Sequence, residues 1–143
     1  MSDGWPGDRL WEGSQGLRVV WAMARRSPRS VRLRWRDYRT ASGRRPVKEF
    51  IDGLSDEDTA EVVAAMAEVR EEGLSAARHL RGEIYEVQAE GRDVAIRILF
   101  AQEGKKGRIL LALEGFAKKT QKTPEQLIRL AARRLTDWRS RGR

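Results

Sequence analysis

Arg97 stands in the middle of an otherwise apolar run, Val94 to Phe100, where a charge is costly unless it is exposed or paired. Two arrangements meet that requirement. In one, Arg97 is an ordinary structural partner of Glu86 or Glu114. In the other, its guanidinium sits on an open sheet face, able to grip a phosphate with two parallel hydrogen bonds. A second group lies in Phe116-Ala117-Lys118-Lys119-Thr120-Gln121-Lys122-Thr123-Pro124. Alone, Lys118, Lys119 and Lys122 would be a solvated loop. Between a strand end and a helix start, with backbone N–H donors at the helix and Arg97 on the next strand, they read as one phosphate-binding site. The only histidine, His79, sits between Arg78 and Arg81. Its ordinary pKa suits proton transfer near neutrality, although a lone histidine is more often incidental.

The elements that must position these groups follow from periodicity. Val31, Leu33 and Trp35 alternate with Arg32, Arg34 and Arg36, the pattern of a half-buried strand with a basic outer face. Pro46 opens a short helix whose Val47, Phe50, Ile51 and Leu54 form one apolar stripe. Ser55 caps a second helix with Asp56, Glu57 and Asp58 in its first turn, Val62, Met66 and Val69 on its buried side and Gly73 at its stop. Three strands joined by short turns at Glu90–Asp93 and Gly104–Gly107 then make an antiparallel meander. Thr123-Pro124-Glu125-Gln126 reads as a capping box opening a last helix, with Leu127, Ala131, Leu135 and Trp138 inward and Arg129, Arg133, Arg134 and Arg139 outward. The predicted fold is α+β: a small antiparallel sheet with a helical hairpin and a C-terminal helix packed on one face of it. Strand parity puts Tyr85, Val87, Ile96, Ile98 and Phe100 under the helices. Glu86, Gln88, Arg97 and Leu99 take the opposite face.

Residues 1–30 read as an N-terminal extension to a domain over 31–143. Gly4, Pro6, Gly7, Gly13 and Gly16 break any period there, while Trp5, Trp11 and Trp21 are unusual for pure disorder. The patterned sequence begins just after Met23, an alternative start. The whole chain, 143 residues with net charge +8, fits one domain and a short appendage. The charge is uneven: residues 45–104 carry 7 basic and 14 acidic side chains, and residues 105–143 carry 12 and 3. Basic flanks around an acidic middle favour contact with nucleic acid or the ribosome over a merely solvated surface. The chain has no cysteine and one histidine, which argues against disulfides and a zinc site. No apolar run approaches a membrane span and no signal peptide is evident, so a cytoplasmic protein is expected.

Three segments carry a resemblance: Leu80 to Gln88, Ile96-Arg97-Ile98-Leu99-Phe100, and Gly115 to Pro124. Together they resemble the phage-derived HigB-like branch of the RelE toxin superfamily, and the likeness covers about residues 31–140. The resemblance implies a RelE-like fold and a type II toxin that enters the ribosome and cleaves messenger RNA without metal or other cofactor. Its partners would be mRNA, the ribosome and a HigA-like helix-turn-helix antitoxin, with no membrane. By position, Arg97 would contact the scissile phosphate, Lys118 and Lys119 would close the site, and Glu86 and Gln88 would transfer a proton or stabilise charge. Lys122, Arg81, Arg78, His79, Arg133 and Arg134 would contact RNA or the ribosome. The chain departs from the branch at Gln88, Ile96 and Phe100, where arginine, tyrosine and tyrosine are usual. The competing classes are a ParE-like gyrase inhibitor and a non-catalytic nucleic-acid-binding domain.

Overall fold

The computed structural model describes residues 32–119 and 122–142. The extension expected over residues 1–30, and Val31, Thr120 and Gln121, lie outside the described residues. The described elements are β1 (Arg34–Asp37), α1 (Pro46–Asp52), α2 (Asp56–Glu72), β2 (Arg78–Arg81), β3 (Ile84–Glu90), β4 (Ala95–Glu103), β5 (Ile109–Lys118) and α3 (Glu125–Ser140). Among the described residues the architecture is α+β, a five-stranded, mostly antiparallel open sheet with three α-helices, in the order β1-β5-β4-β3-β2.

Local signals fix the hairpin of helices. Pro46 occupies the first turn of α1, and Val47 and Ile51 point inward. The Ser55 hydroxyl accepts the Asp58 N–H at 3.1 Å, a cap worth about 1 kcal/mol. Gly73 ends α2 at φ 82° and ψ −163°, a region open essentially to glycine alone that costs another residue about 1–3 kcal/mol. The fully buried Trp35 of β1 donates its indole N–H to Met66 O at 2.9 Å, which pins α2 over the sheet. Gly115 lets Phe50 of α1 lie against β5: an added Cβ would sit 2.5 Å from Phe50 Cδ2.

The sheet differs from expectation in three respects. First, β1 runs parallel to β5, with Arg34 opposite Ile109 and Asp37 opposite Ala112. The intervening helices and meander form the long crossover that a parallel pair requires. Second, Arg78–Arg81 is an extra edge strand, with Arg78 opposite Glu86 and His79 opposite Tyr85; Arg-His-Leu-Arg has no apolar alternation to announce it. Third, the helices occupy both faces rather than one. Val87, Ile96, Ile98, Phe100 and Leu110 pack under α1 and α2, as parity required. Leu99, Ala101, Leu111 and Leu113 pack with Ala131 and Leu135 of α3 on the other side. The central strands are apolar on both faces, so each face must be covered; β4 is buried from Ala95 to Ala101. Among the described residues no helix is long and apolar enough to cross a membrane.

Candidate functional site

The strand parity that builds the second face also gathers its charged residues. Glu86 on β3 lies opposite Leu99, and Gln88 lies opposite Arg97. On β5, Phe116 is opposite Arg97 and Lys118 is opposite Ala95. These side chains meet just beyond the N-terminal end of α3.

Glu86 is the hub. Its carboxylate is fully buried. Oε1 accepts the Gln88 amide at 3.1 Å and lies 3.9 Å from both Arg97 Nε and Arg78 Nη1. Oε2 accepts the hydroxyl of Thr123. The expected capping box therefore does not form: Pro124 is the N-cap of α3 and makes no side-chain cap bond. The Thr123 hydroxyl instead ties the start of α3 to β3, because a buried carboxylate needs every donor within reach.

Arg97 is also buried, at 1% exposure, which corrects the open face expected for it. Alternation gave the side it points to but not its depth: the strands beside it, through Glu86, Ala89 and Glu90, enclose the guanidinium. Arg97 Nη1 donates to the carbonyls of Ala89 at 3.1 Å and Ile96 at 3.0 Å and to Glu90 at 3.4 Å. Of the two structural partners considered, Glu86 is the one in contact. Glu114 pairs instead with Arg134 at 3.0 Å.

Lys118 completes the cluster. Its Nζ is buried without a hydrogen-bond partner among the described residues and lies 5.5 Å from the centre of the Phe116 ring. Burial pushes its amine below the ordinary lysine value. Glu86 opposes that shift, and Arg97 and Arg78 add to it. Three cations thus surround Glu86, and the further carboxylate, Glu90, sits largely exposed at the rim. Such a cluster attracts an anion that can approach the rim. Glu90 went unnoticed in the sequence, although Glu86, Gln88 and Glu90 share one parity.

The remaining expected contacts fall into two groups. Lys119, Lys122 and Arg133 are exposed, and the Arg78 side chain is about half exposed beside Glu86. Others are engaged in holding the fold. Arg81 makes a two-pronged pair with Glu125 of α3. Arg134 binds Leu113 O at 2.8 Å as well as Glu114. His79 is separated from the cluster: its ring packs 4.9 Å from Tyr85, which belongs to the α1 and α2 side, and its Nε2 faces Gly82 O at 2.9 Å.

A family model described as "Phage derived protein Gp49-like (DUF891)" matches residues 49–136. That stretch runs from α1 into α3 and contains Glu86, Arg97, Lys118 and Thr123. No curated protein matches the chain.

Proposed function

Because the chain belongs to the phage-derived Gp49-like family, a family of RelE-like, toxin-like proteins, we propose that it is the toxin of a type II toxin–antitoxin pair, of the HigB-like kind, and that it cleaves messenger RNA on the ribosome. The observation that carries this reading is the buried amine of Lys118 beside Arg97 and Arg78, with Glu86 as their shared counter-charge. In RNA cleavage the 2′-hydroxyl gives up its proton to solvent as it attacks the adjacent phosphorus. The bond to the 5′-oxygen breaks and that oxygen takes up a proton from solvent, and negative charge builds on the free phosphate oxygens in between. Cations fixed in a dry setting before reaction stabilise that charge without reorganising, an effect of roughly 3–4 kcal/mol per well-placed donor. Lys118 and Arg97 are the fixed donors in this scheme. Lys119, Lys122 and Arg133 draw the RNA strand to the rim.

Glu86 acts as a positioning residue. Buried, with both oxygens engaged, it holds Arg97 and Thr123 rather than meeting the 2′-hydroxyl, which revises the proton-accepting role expected for it. Gln88 acts through its amide on the same carboxylate. The partner of a toxin-like chain is an antitoxin, here a HigA-like helix-turn-helix protein.

Primer-extension mapping of cellular mRNA after brief induction tests the proposal. New ends phased to codons, absent when Lys118→Gln is induced, are the expected result. A DNA-damage response with intact mRNA would instead mark a gyrase inhibitor, and neither response would leave only a docking domain.

A further inference from the structure

A second group of cations, unconnected with the cluster around Glu86, lies at the other end of the sheet. The parallel pairing of β1 with β5 sets Arg34 opposite Ile109, and the Arg34 N–H donates to Arg108 O at 2.9 Å. This brings Arg32 and Arg34 beside Lys105, Lys106 and Arg108 of the β4–β5 turn. All five are exposed. None makes a side-chain hydrogen bond or ion pair with the described residues. The nearest acidic residue in the sequence, Glu103, is buried and taken up by Arg139.

The turn holds these charges in a fixed arrangement. Gln102 donates its amide to Gly107 O at 2.6 Å, and the Gly107 N–H donates to Gly104 O at 3.0 Å. Lys106 adopts φ 66°, a left-handed backbone that an asparagine or glycine would take more easily. The chain therefore keeps a lysine at the tip where backbone preference favours other residues. β5 extends from Ile109 to Lys118, so about 30 Å separates this patch from Lys118. One nucleotide cannot touch both.

We propose that Arg32, Arg34, Lys105, Lys106 and Arg108 form a separate docking surface for the phosphate backbone of duplex RNA. This rests on the reading of the chain as an RNA-directed protein and adds a second contact to it. Duplex backbone fits because it presents closely spaced phosphates to a rigid array and needs no base to be read. The acidic α2, with Asp56, Glu57, Asp58 and Glu61 in its first turns, repels the same polyanion from the α1 and α2 side. A strand to be cut then enters at one end of the sheet while a helical RNA is held at the other.

The test compares the full chain with a variant carrying Arg34→Gln, Lys105→Gln, Lys106→Asn and Arg108→Gln. Asparagine is used at 106 because it accepts the left-handed backbone. Binding to an RNA duplex of roughly 16 base pairs is titrated over a range of salt, and melting temperature is measured on the same preparations. The neutral variant should lower the salt slope of duplex binding by about 4, with melting temperature unchanged. A charge-keeping variant, Lys105→Arg with Arg108→Lys, should bind as the unmodified chain does. An unchanged slope in the neutral variant overturns the proposal, as does equal loss of binding in the charge-keeping variant. Absence of codon-phased ends in the primer-extension mapping of cellular mRNA counts against the nuclease reading alone, because duplex binding is read separately.

Discussion

The Nε of Arg97 lies 3.9 Å from Oε1 of Glu86, with the two side chains 1% and 0% exposed. A pair this deep holds most of its value only while both members are present: removing one leaves the other charged in a dry interior, at a cost of about 3–5 kcal/mol. Arg97→Ala should therefore lower stability by that order and also reduce single-turnover cleavage by the folded fraction by roughly 10²–10³-fold. Sequence parity alone, with Arg97 on an open face, would leave the melting temperature unmoved. Denaturant titration and cleavage rate on one preparation read both effects. An unstable variant that cleaves normally when folded would remove Arg97 from the site and leave it a structural residue.

Thr123 gives a sharper test of how the site is built. If its hydroxyl served as a helix cap, Thr123→Asp would be tolerated or mildly stabilising. Because that hydroxyl donates to the buried Glu86, Thr123→Asp should instead set two carboxylates together and destabilise strongly. Thr123→Val should cost about 1.5–3 kcal/mol, the range for a hydrogen bond to a charged group, and Thr123→Ser should restore most of it. Melting curves of the three variants decide between the two roles.

Those two cases also show what the sequence carries and where it stops. Parity placed Glu86, Gln88, Arg97 and Leu99 on one face, because side-chain alternation is local to a strand. The caps at Ser55 and Gly73 were legible for the same reason. Depth was not: whether Arg97 is exposed depends on partners that only the pairing of β3 with β4 brings to it, Glu86, Ala89 and Glu90. Nor was the edge strand Arg78–Arg81, whose residues pair with β3 without an apolar pattern of their own. Thr123 satisfied a local capping signature, and a distant buried carboxylate outcompeted it.

Gly115 should tolerate no side chain. An alanine Cβ would lie 2.5 Å from Phe50 Cδ2 and 3.1 Å from Ile98 Cδ1, so α1 would have to lift from β5. Overpacking of this kind costs about 1–3 kcal/mol. Gly115→Ala should lower the melting temperature, and pairing it with Phe50→Leu should recover part of the loss. Equal stability of Gly115→Ala and the unmodified chain would show that the Phe50 ring yields freely.

Expression without a partner should arrest bacterial growth, and the product of the adjacent gene should relieve the arrest. The family is toxin-like, and such chains are held by an antitoxin. High-level expression with no growth defect would count directly against the proposed function.

Lys118 carries the last prediction, in which stability and activity move in opposite directions. Burial lowers its folded-state pKa below the ordinary 10.5, so the charged amine is less comfortable in the folded chain than in the unfolded one. Between the lowered value and 10.5 the unfolded chain binds more protons, and stability must rise with pH across that window. Below the window the full penalty remains, neutral pH included. Tyr38 works the other way: burial and its hydrogen bond to Asp137 raise its pKa above 10.0, so its contribution falls as pH climbs through the alkaline range. Subtracting the profile of Lys118→Met from that of the unmodified chain isolates the lysine. Lys118→Met should be the more stable protein at neutral pH, should lack the rise below 10.5, and should cleave roughly 10²-fold more slowly. Lys119→Met, at an exposed neighbouring position, should change stability little and cleavage by a smaller factor. A gain in stability bought with lost activity is what a residue kept for charge stabilisation produces. If Lys118→Met melts lower and cleaves normally, the amine serves the fold, and the anion site must be sought elsewhere.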